Sequence, residues 1–126
     1  VKKIISTENA PAAIGPYSQG VWAGDFLFLS GQIPIDPKTG SLVEGDAAAQ
    51  AEQVLKNVKA ILESQGLTLR HVVKATVFST DMGTFAAVNE VYGRFFSEEP
   101  PARSFVEVAA LPKGALVEIE VVASRQ

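Results

Sequence analysis

The sequence predicts an α+β fold: a mixed sheet of about six strands with two helices on one face. Two observations carry that expectation. The chain has 126 residues, 47% hydrophobic and 20% charged, which suits a single domain over residues 1–126 with one core. Two stretches repeat apolar residues at helical spacing, set among short runs rich in β-branched and aromatic residues. No internal repeat, low-complexity stretch or linker divides the chain.

Residues 1–8 read as a first short strand, too short and soon too polar for a signal peptide. Residues 18–23 and 26–30 read as two strands joined by a tight turn at Gly24-Asp25. The second, Phe26-Leu27-Phe28-Leu29-Ser30, is almost continuously apolar, so a central strand covered on both faces is expected. Gly31-Gln32-Ile33-Pro34 breaks regularity, and Asp36-Pro37-Lys38-Thr39-Gly40 is a loop or turn. Asp46 suits the N-cap of a long helix. Its apolar face is Ala51, Val54, Leu55, Val58, Ile61 and Leu62, with Gln50, Gln53, Lys56 and Glu63 opposite and Gly66 ending it.

Residues 71–80 form a β-branched strand. Asp81 or Thr84 caps a second helix with Phe85, Val88, Tyr92, Phe95 and Phe96 on one face, and Pro100-Pro101 forbids its continuation. Residues 102–108 and 115–123 are the last strands, joined by Leu111-Pro112-Lys113-Gly114. In the final strand Val117, Ile119 and Val121 share one face, Glu118 and Glu120 the other. Helices on one face leave the other open, and an uncovered apolar face points to self-association.

Several chemistries are excluded. There is no cysteine, which removes disulfides, thiolate nucleophiles and cysteine-ligated metals. The one histidine, His71, cannot make a multi-histidine metal site within a subunit, and it reads as an exposed loop residue. No metal site is expected. The net charge is −3 and no Lys/Arg cluster stands out, so a nucleic-acid partner is not expected. No apolar run approaches a membrane span, and a cytoplasmic location is the default. No serine-nucleophile elbow, Walker loop or dinucleotide glycine fingerprint occurs.

What remains is a small polar set: Tyr17, Ser30, Asn89, Arg103, Glu107, Glu118 and Glu120. Arg103 opens a strand beside apolar neighbours, and a guanidinium there needs a partner. Its planar fork matches a carboxylate or phosphate at two points. Arg103 is therefore either an anion receptor for a small acidic metabolite or half of an internal ion pair. One of Glu118 and Glu120 belongs to a solvated strand face, and the other is free to handle a proton or a water. Tyr17 is a loop anchor or a phenol aimed at a ligand. Ser30 closes a strand through its hydroxyl or meets a ligand. These residues alone define a small-acid binder or enzyme.

Blocks along nearly the whole chain match one family. They are Asn9-Ala10-Pro11-Ala12-Ala13-Ile14-Gly15-Pro16-Tyr17-Ser18-Gln19-Gly20, Ser30-Gly31-Gln32-Ile33-Pro34, Val73-Lys74-Ala75-Thr76-Val77-Phe78 and Phe85-Ala86-Ala87-Val88-Asn89-Glu90-Val91-Tyr92. They continue in Pro101-Ala102-Arg103-Ser104, Val106-Glu107-Val108-Ala109, Leu111-Pro112-Lys113 and Val117-Glu118-Ile119-Glu120. In these blocks the chain resembles the reactive intermediate/imine deaminase A family, also called the YjgF family.

The resemblance implies a chorismate-mutase-like (bacillus-type) α+β fold, assembled as a homotrimer with ligand clefts between subunits. It implies 2-iminobutanoate/2-iminopropanoate deaminase activity, hydrolysing enamines and imines released by pyridoxal-phosphate enzymes to 2-keto acids and ammonia without metal or organic cofactor. At the matching positions Arg103 holds the substrate carboxylate and Glu118 orients a water or relays a proton. Ser30 and Gly31 contact the acid, while Tyr17 and Asn89 line the cleft. Many members carry cysteine where this chain has Phe105, which removes thiol chemistry there and gives the expected pocket a bulkier, more apolar wall. Two other readings stand beside it: a non-catalytic small-acid-binding regulatory module, which Phe105 favours, and an endoribonuclease or translation inhibitor, against which the acidic balance weighs.

Overall fold

Buried and exposed residues alternate along the long strands, so the sheet has one covered and one open face. The computed structural model describes residues 1–126. Its strands are β1 (Lys3–Ile5), β2 (Gly20–Ala23), β3 (Phe26–Leu29), β4 (Ile35–Asp36), β5 (Ser41–Leu42), β6 (Val72–Ser79), β7 (Ala102–Glu107) and β8 (Val117–Ser124). Six of them form one sheet in the order β1-β2-β3-β8-β6-β7, and β4 and β5 make a separate ribbon. Within the main sheet β6 and β7 are parallel and the other neighbours are antiparallel. The expected α+β class with a mixed six-stranded sheet and two helices is what the chain forms. The ribbon at residues 35–42 was not anticipated, because its strands are too short to show a period.

The long helix, α1 (Ala47–Ser64), begins where Asp46 accepts the amide of Ala49 at 3.0 Å. It ends at Gln65, followed by Gly66 with φ of 74°. Ala51, Val54, Leu55, Val58, Ile61 and Leu62 are all fully buried, as their spacing requires. Gln50, expected on the outer side, is buried instead: its Oε1 accepts the amide of Leu116 at 2.8 Å. Asn57 is also buried, donating to the carbonyls of Ile33 and Ile35. Both are tolerated because backbone groups far along the chain satisfy them.

The second helix, α2 (Phe85–Phe95), connects the parallel strands β6 and β7. Asp81 caps not α2 but a single helical turn before it, accepting the amide of Gly83 at 2.8 Å. Val88, Val91, Tyr92 and Phe96 join the core, while Phe85 lies at its edge. His71 ends another single turn, where its Nδ1 accepts the amide of Thr68 at 3.0 Å, so its ring is engaged in local capping.

One core of 24 buried residues unites both helices with one face of the sheet. β3 corrects an expectation. It is interior to the sheet, but Leu27 and Leu29 are buried while Phe26 and Phe28 are each 47% exposed. Its continuous apolar run encodes two apolar faces, and this chain covers only one. No helix is long and apolar enough to cross a membrane.

Leu55 sits at the centre of the α1 face, with no solvent exposure. Leu55→Ala is expected to lower unfolding free energy by about 2–5 kcal/mol, read by urea denaturation at fixed protein concentration.

Candidate functional site

Arg103 lies on β7, an edge strand. It registers with Ala75, and Phe105 registers with Val77. Both partners are buried, so Arg103 and Phe105 share the helix-covered face. Asn89 and Tyr92, three residues apart on α2, meet the guanidinium there. Arg103 Nη1 donates to Asn89 Oδ1 at 2.7 Å. Its guanidinium carbon stands 4.8 Å from the centre of the Tyr92 ring, 5.7 Å from Phe85 and 5.6 Å from Phe105. These are cation–π distances. The ion pairs of the chain are Lys56–Glu52, Arg70 with Glu98 and Glu99, and Arg125–Asp25, so no carboxylate neutralises Arg103. The internal ion-pair reading of Arg103 is thereby set aside.

The backbone adds to this edge. Val108 donates its amide to the Ser79 carbonyl at 2.8 Å. Alternation then turns the amides of Arg103 and Phe105 away from β6, toward the unpaired edge. Beneath the guanidinium, burial pushes the Tyr92 phenol pKa up, and the charge of Arg103 partly opposes it. Its hydroxyl is buried without a hydrogen-bond partner.

Glu118 lies on the other face of the sheet. Val117 and Ile119 point into the core on either side of it. It lines a cavity of about 300 Å³ with Ile14, Tyr17, Ser30, Gly31, Ile33 and Pro112. The chain leaves β3 through Ser30 and Gly31 and returns to β8 at Gln32. Gln32 and Ile119 exchange backbone hydrogen bonds of 2.8 and 3.1 Å. That bridge lays Gly31 against the Glu118 carboxyl. A Cβ built on Gly31 would fall 2.0 Å from Glu118 Oε2, so no larger residue fits with the carboxyl where it is. Ser30 donates its hydroxyl to the Ser18 carbonyl, and the Tyr17 hydroxyl accepts the amide of Ile14 at 3.1 Å. Burial raises the Glu118 pKa, and the nearby charge of Glu120 raises it further.

The residues singled out in the sequence thus fall into two groups. Tyr17, Ser30, Gly31 and Glu118 gather around one cavity. Arg103, Asn89 and Phe105 gather at the β7 edge. Within one protomer the sheet separates the two groups. Glu107 has a local duty, accepting the amide of Met82 at 2.6 Å, and Glu120 is the exposed member of its pair. Phe85 and Tyr92 were legible only as core positions of a helical stripe. No signal singled out Ile14, Ile33 and Pro112. The structure holds no group of three or more His, Cys, Asp or Glu side chains arranged for a metal ion.

The structure is thus an α+β protein with a braced guanidinium at a sheet edge and a half-buried carboxyl on the opposite face. The chain belongs to the family described as Endoribonuclease L-PSP, which matches residues 7–125. It is 56% identical over 129 residues to the 2-iminobutanoate/2-iminopropanoate deaminase of Salmonella typhimurium, covering all of both chains. Among solved structures it resembles the YjgF gene product of E. coli, with 56% identity, TM-score 0.93 and coverage of 98% of this chain and 99% of that one. It also resembles E. coli TdcF with bound serine, with 50% identity, TM-score 0.93 and the same coverage.

Two outcomes follow from the Glu118 cavity. Gly31→Ala is expected to cost about 1–3 kcal/mol and to force Glu118 into another rotamer, visible in the variant's crystal structure. The second concerns pH. A carboxyl whose pKa is raised by folding favours the fold below its ordinary value of 4.5 and loses that contribution as pH rises through the native pKa. Glu118→Gln is therefore expected to stabilise the protein at neutral pH, with the gain vanishing below 4.5, as read by denaturation across pH.

Proposed function

We propose that the protein is an enamine/imine deaminase, converting 2-iminobutanoate or 2-iminopropanoate to the 2-keto acid and ammonia. The observation that carries this reading is the Arg103 fork, braced by a neutral amide and aromatic rings and opposed by no carboxylate of its own chain. Such a fork keeps its charge for a diffusible carboxylate. The identity to a named deaminase supports the same reading.

In this proposal the two half-sites belong to different protomers of a homotrimer with a chorismate-mutase-like fold. The β7 edge of one protomer faces the Glu118 cavity of the next. The exposed Phe26 and Phe28 on the open face supply apolar surface for such an assembly. Arg103, with the free amide of Phe105, holds the substrate carboxylate, and Asn89 fixes the fork. Tyr17, Ser30 and Gly31 enclose the imine.

The chemistry needs a positioned water and one group that moves protons. Glu118 accepts a proton from water as the water oxygen bonds to the imine carbon, and passes that proton to the imine nitrogen, giving a carbinolamine and restoring its carboxylate. The hydroxyl proton then passes to nitrogen, the C–N bond breaks, and ammonia leaves a 2-keto acid. The raised pKa of Glu118 suits both halves of this exchange. Most of the gain comes from orientation, because the fixed carboxylate sets the imine carbon beside the water. The family description also names a ribonuclease. A net charge of −3 and a cavity lined by Glu118 and by no Lys or Arg oppose a polyanionic substrate.

The test is keto-acid formation from threonine by a pyridoxal-phosphate dehydratase, with and without this protein. Arg103→Ala is expected to lose about 100-fold or more of the acceleration while fold and assembly persist. Equal activity in that variant would overturn the proposal.

A further inference from the structure

We infer that Phe85 and Phe105 form an apolar wall that selects a branched or aromatic hydrocarbon side chain on the acid held by Arg103. The inference rests on the proposed role of Arg103 as the carboxylate receptor. It adds that hydrocarbon side chains larger than the methyl and ethyl groups of 2-iminopropanoate and 2-iminobutanoate are held more tightly, and it gives a task to Phe85, which the proposed mechanism leaves without one.

Two periodicities bring the wall together. Phe85, Asn89 and Tyr92 follow helical spacing along α2 and form one stripe. Arg103 and Phe105 are alternate residues on β7 and share a face. Tyr92, 6% exposed, lies under the guanidinium, and Asn89 grips it from the side. Phe85 is different. It is 38% exposed at the first turn of α2, and its ring meets Phe105 at 4.7 Å between centroids with a 59° tilt. Both rings stand within 5.7 Å of the guanidinium carbon. An aromatic pair beside a cation, Phe85 exposed and Phe105 half-buried, is an apolar surface that this chain leaves partly uncovered.

A carboxylate gripped at two points lies in the plane of the guanidinium, and the rest of the acid projects beyond the fork. The two rings are the apolar surface next to that position. A methyl or ethyl side chain covers little of it. An isobutyl or benzyl group covers much more, and the gain scales with the apolar area removed from water. A charged side chain loses hydration there without a compensating partner, since Asn89 is already engaged. The wall therefore favours large hydrocarbon side chains over small ones and rejects acidic ones.

Calorimetric titration of the intact protein with 2-keto acids tests this without requiring turnover. The expected result is that 4-methyl-2-oxopentanoate binds about tenfold tighter than pyruvate, and 2-oxoglutarate more weakly than either. Phe105→Ala and Phe85→Ala each bring the ratio of the first two toward unity, and Phe105→Leu retains most of it. Phe85 is exposed enough that its truncation spares the core, so the Phe85 variant keeps the test valid if the Phe105 variant unfolds. A parent with no preference overturns the inference, as does a Phe85→Ala protein that keeps or increases it. A binding preference without accelerated imine hydrolysis defeats the deaminase proposal alone. Accelerated hydrolysis without the preference defeats this inference alone, and no binding of any 2-keto acid defeats both.

Discussion

The chain braces the guanidinium of Arg103 without neutralising it. Asn89 supplies an amide oxygen at 2.7 Å, and Tyr92, Phe85 and Phe105 supply ring faces. An aspartate in the position of Asn89 would hold the fork equally well and would also cancel its charge. A neutral brace fixes direction and leaves the charge uncompensated. Taking a cation partly out of water is costly without a counter-charge, and cation–π contacts offset part of that cost. The aromatic stripe of α2 and the alternation of β7 both serve this one group.

The sheet then imposes a division. Odd residues of β7 face the helices, and Glu118 on β8 faces away from them. Within one protomer the sheet keeps guanidinium and carboxyl on opposite faces. Each is nevertheless firmly placed. The Gln32–Ile119 bridge lays Gly31 under the Glu118 carboxyl, which in its present rotamer leaves no room for a side chain there. The open face, with Phe26 and Phe28 exposed, is the apolar surface on which the proposed assembly would rest.

Local physics wrote much of the fold plainly. The six apolar residues of α1 fall at helical spacing and are all fully buried. Asp46 and Gly66 mark its ends, and Glu118 and Glu120 share a strand face away from the core. What stayed hidden depends on residues far along the chain. Gln50 and Asn57 are buried because Leu116, Ile33 and Ile35 offer them backbone partners. The apolar run of β3 signals two covered faces, but within this chain only the face of Leu27 and Leu29 is covered. Which of the two glutamates is half-buried depends on the approach of Gly31, some ninety residues earlier in the sequence. Arg103 was legible as a group needing a partner. That its partners are an amide and three rings, and not a carboxylate, is tertiary information. So is the role of Phe85 and Tyr92, which a helical stripe presents as ordinary core.

In the proposed assembly a working site takes Arg103 from one protomer and Glu118 from another. Co-assembly of Arg103→Ala protomers with Glu118→Gln protomers tests it most directly. If the halves are shared between protomers, random mixing restores both native groups at about one quarter of the sites, and imine hydrolysis returns to that level from two parents that are each inactive. Activity in the mixed assemblies no higher than in either parent alone would contradict it.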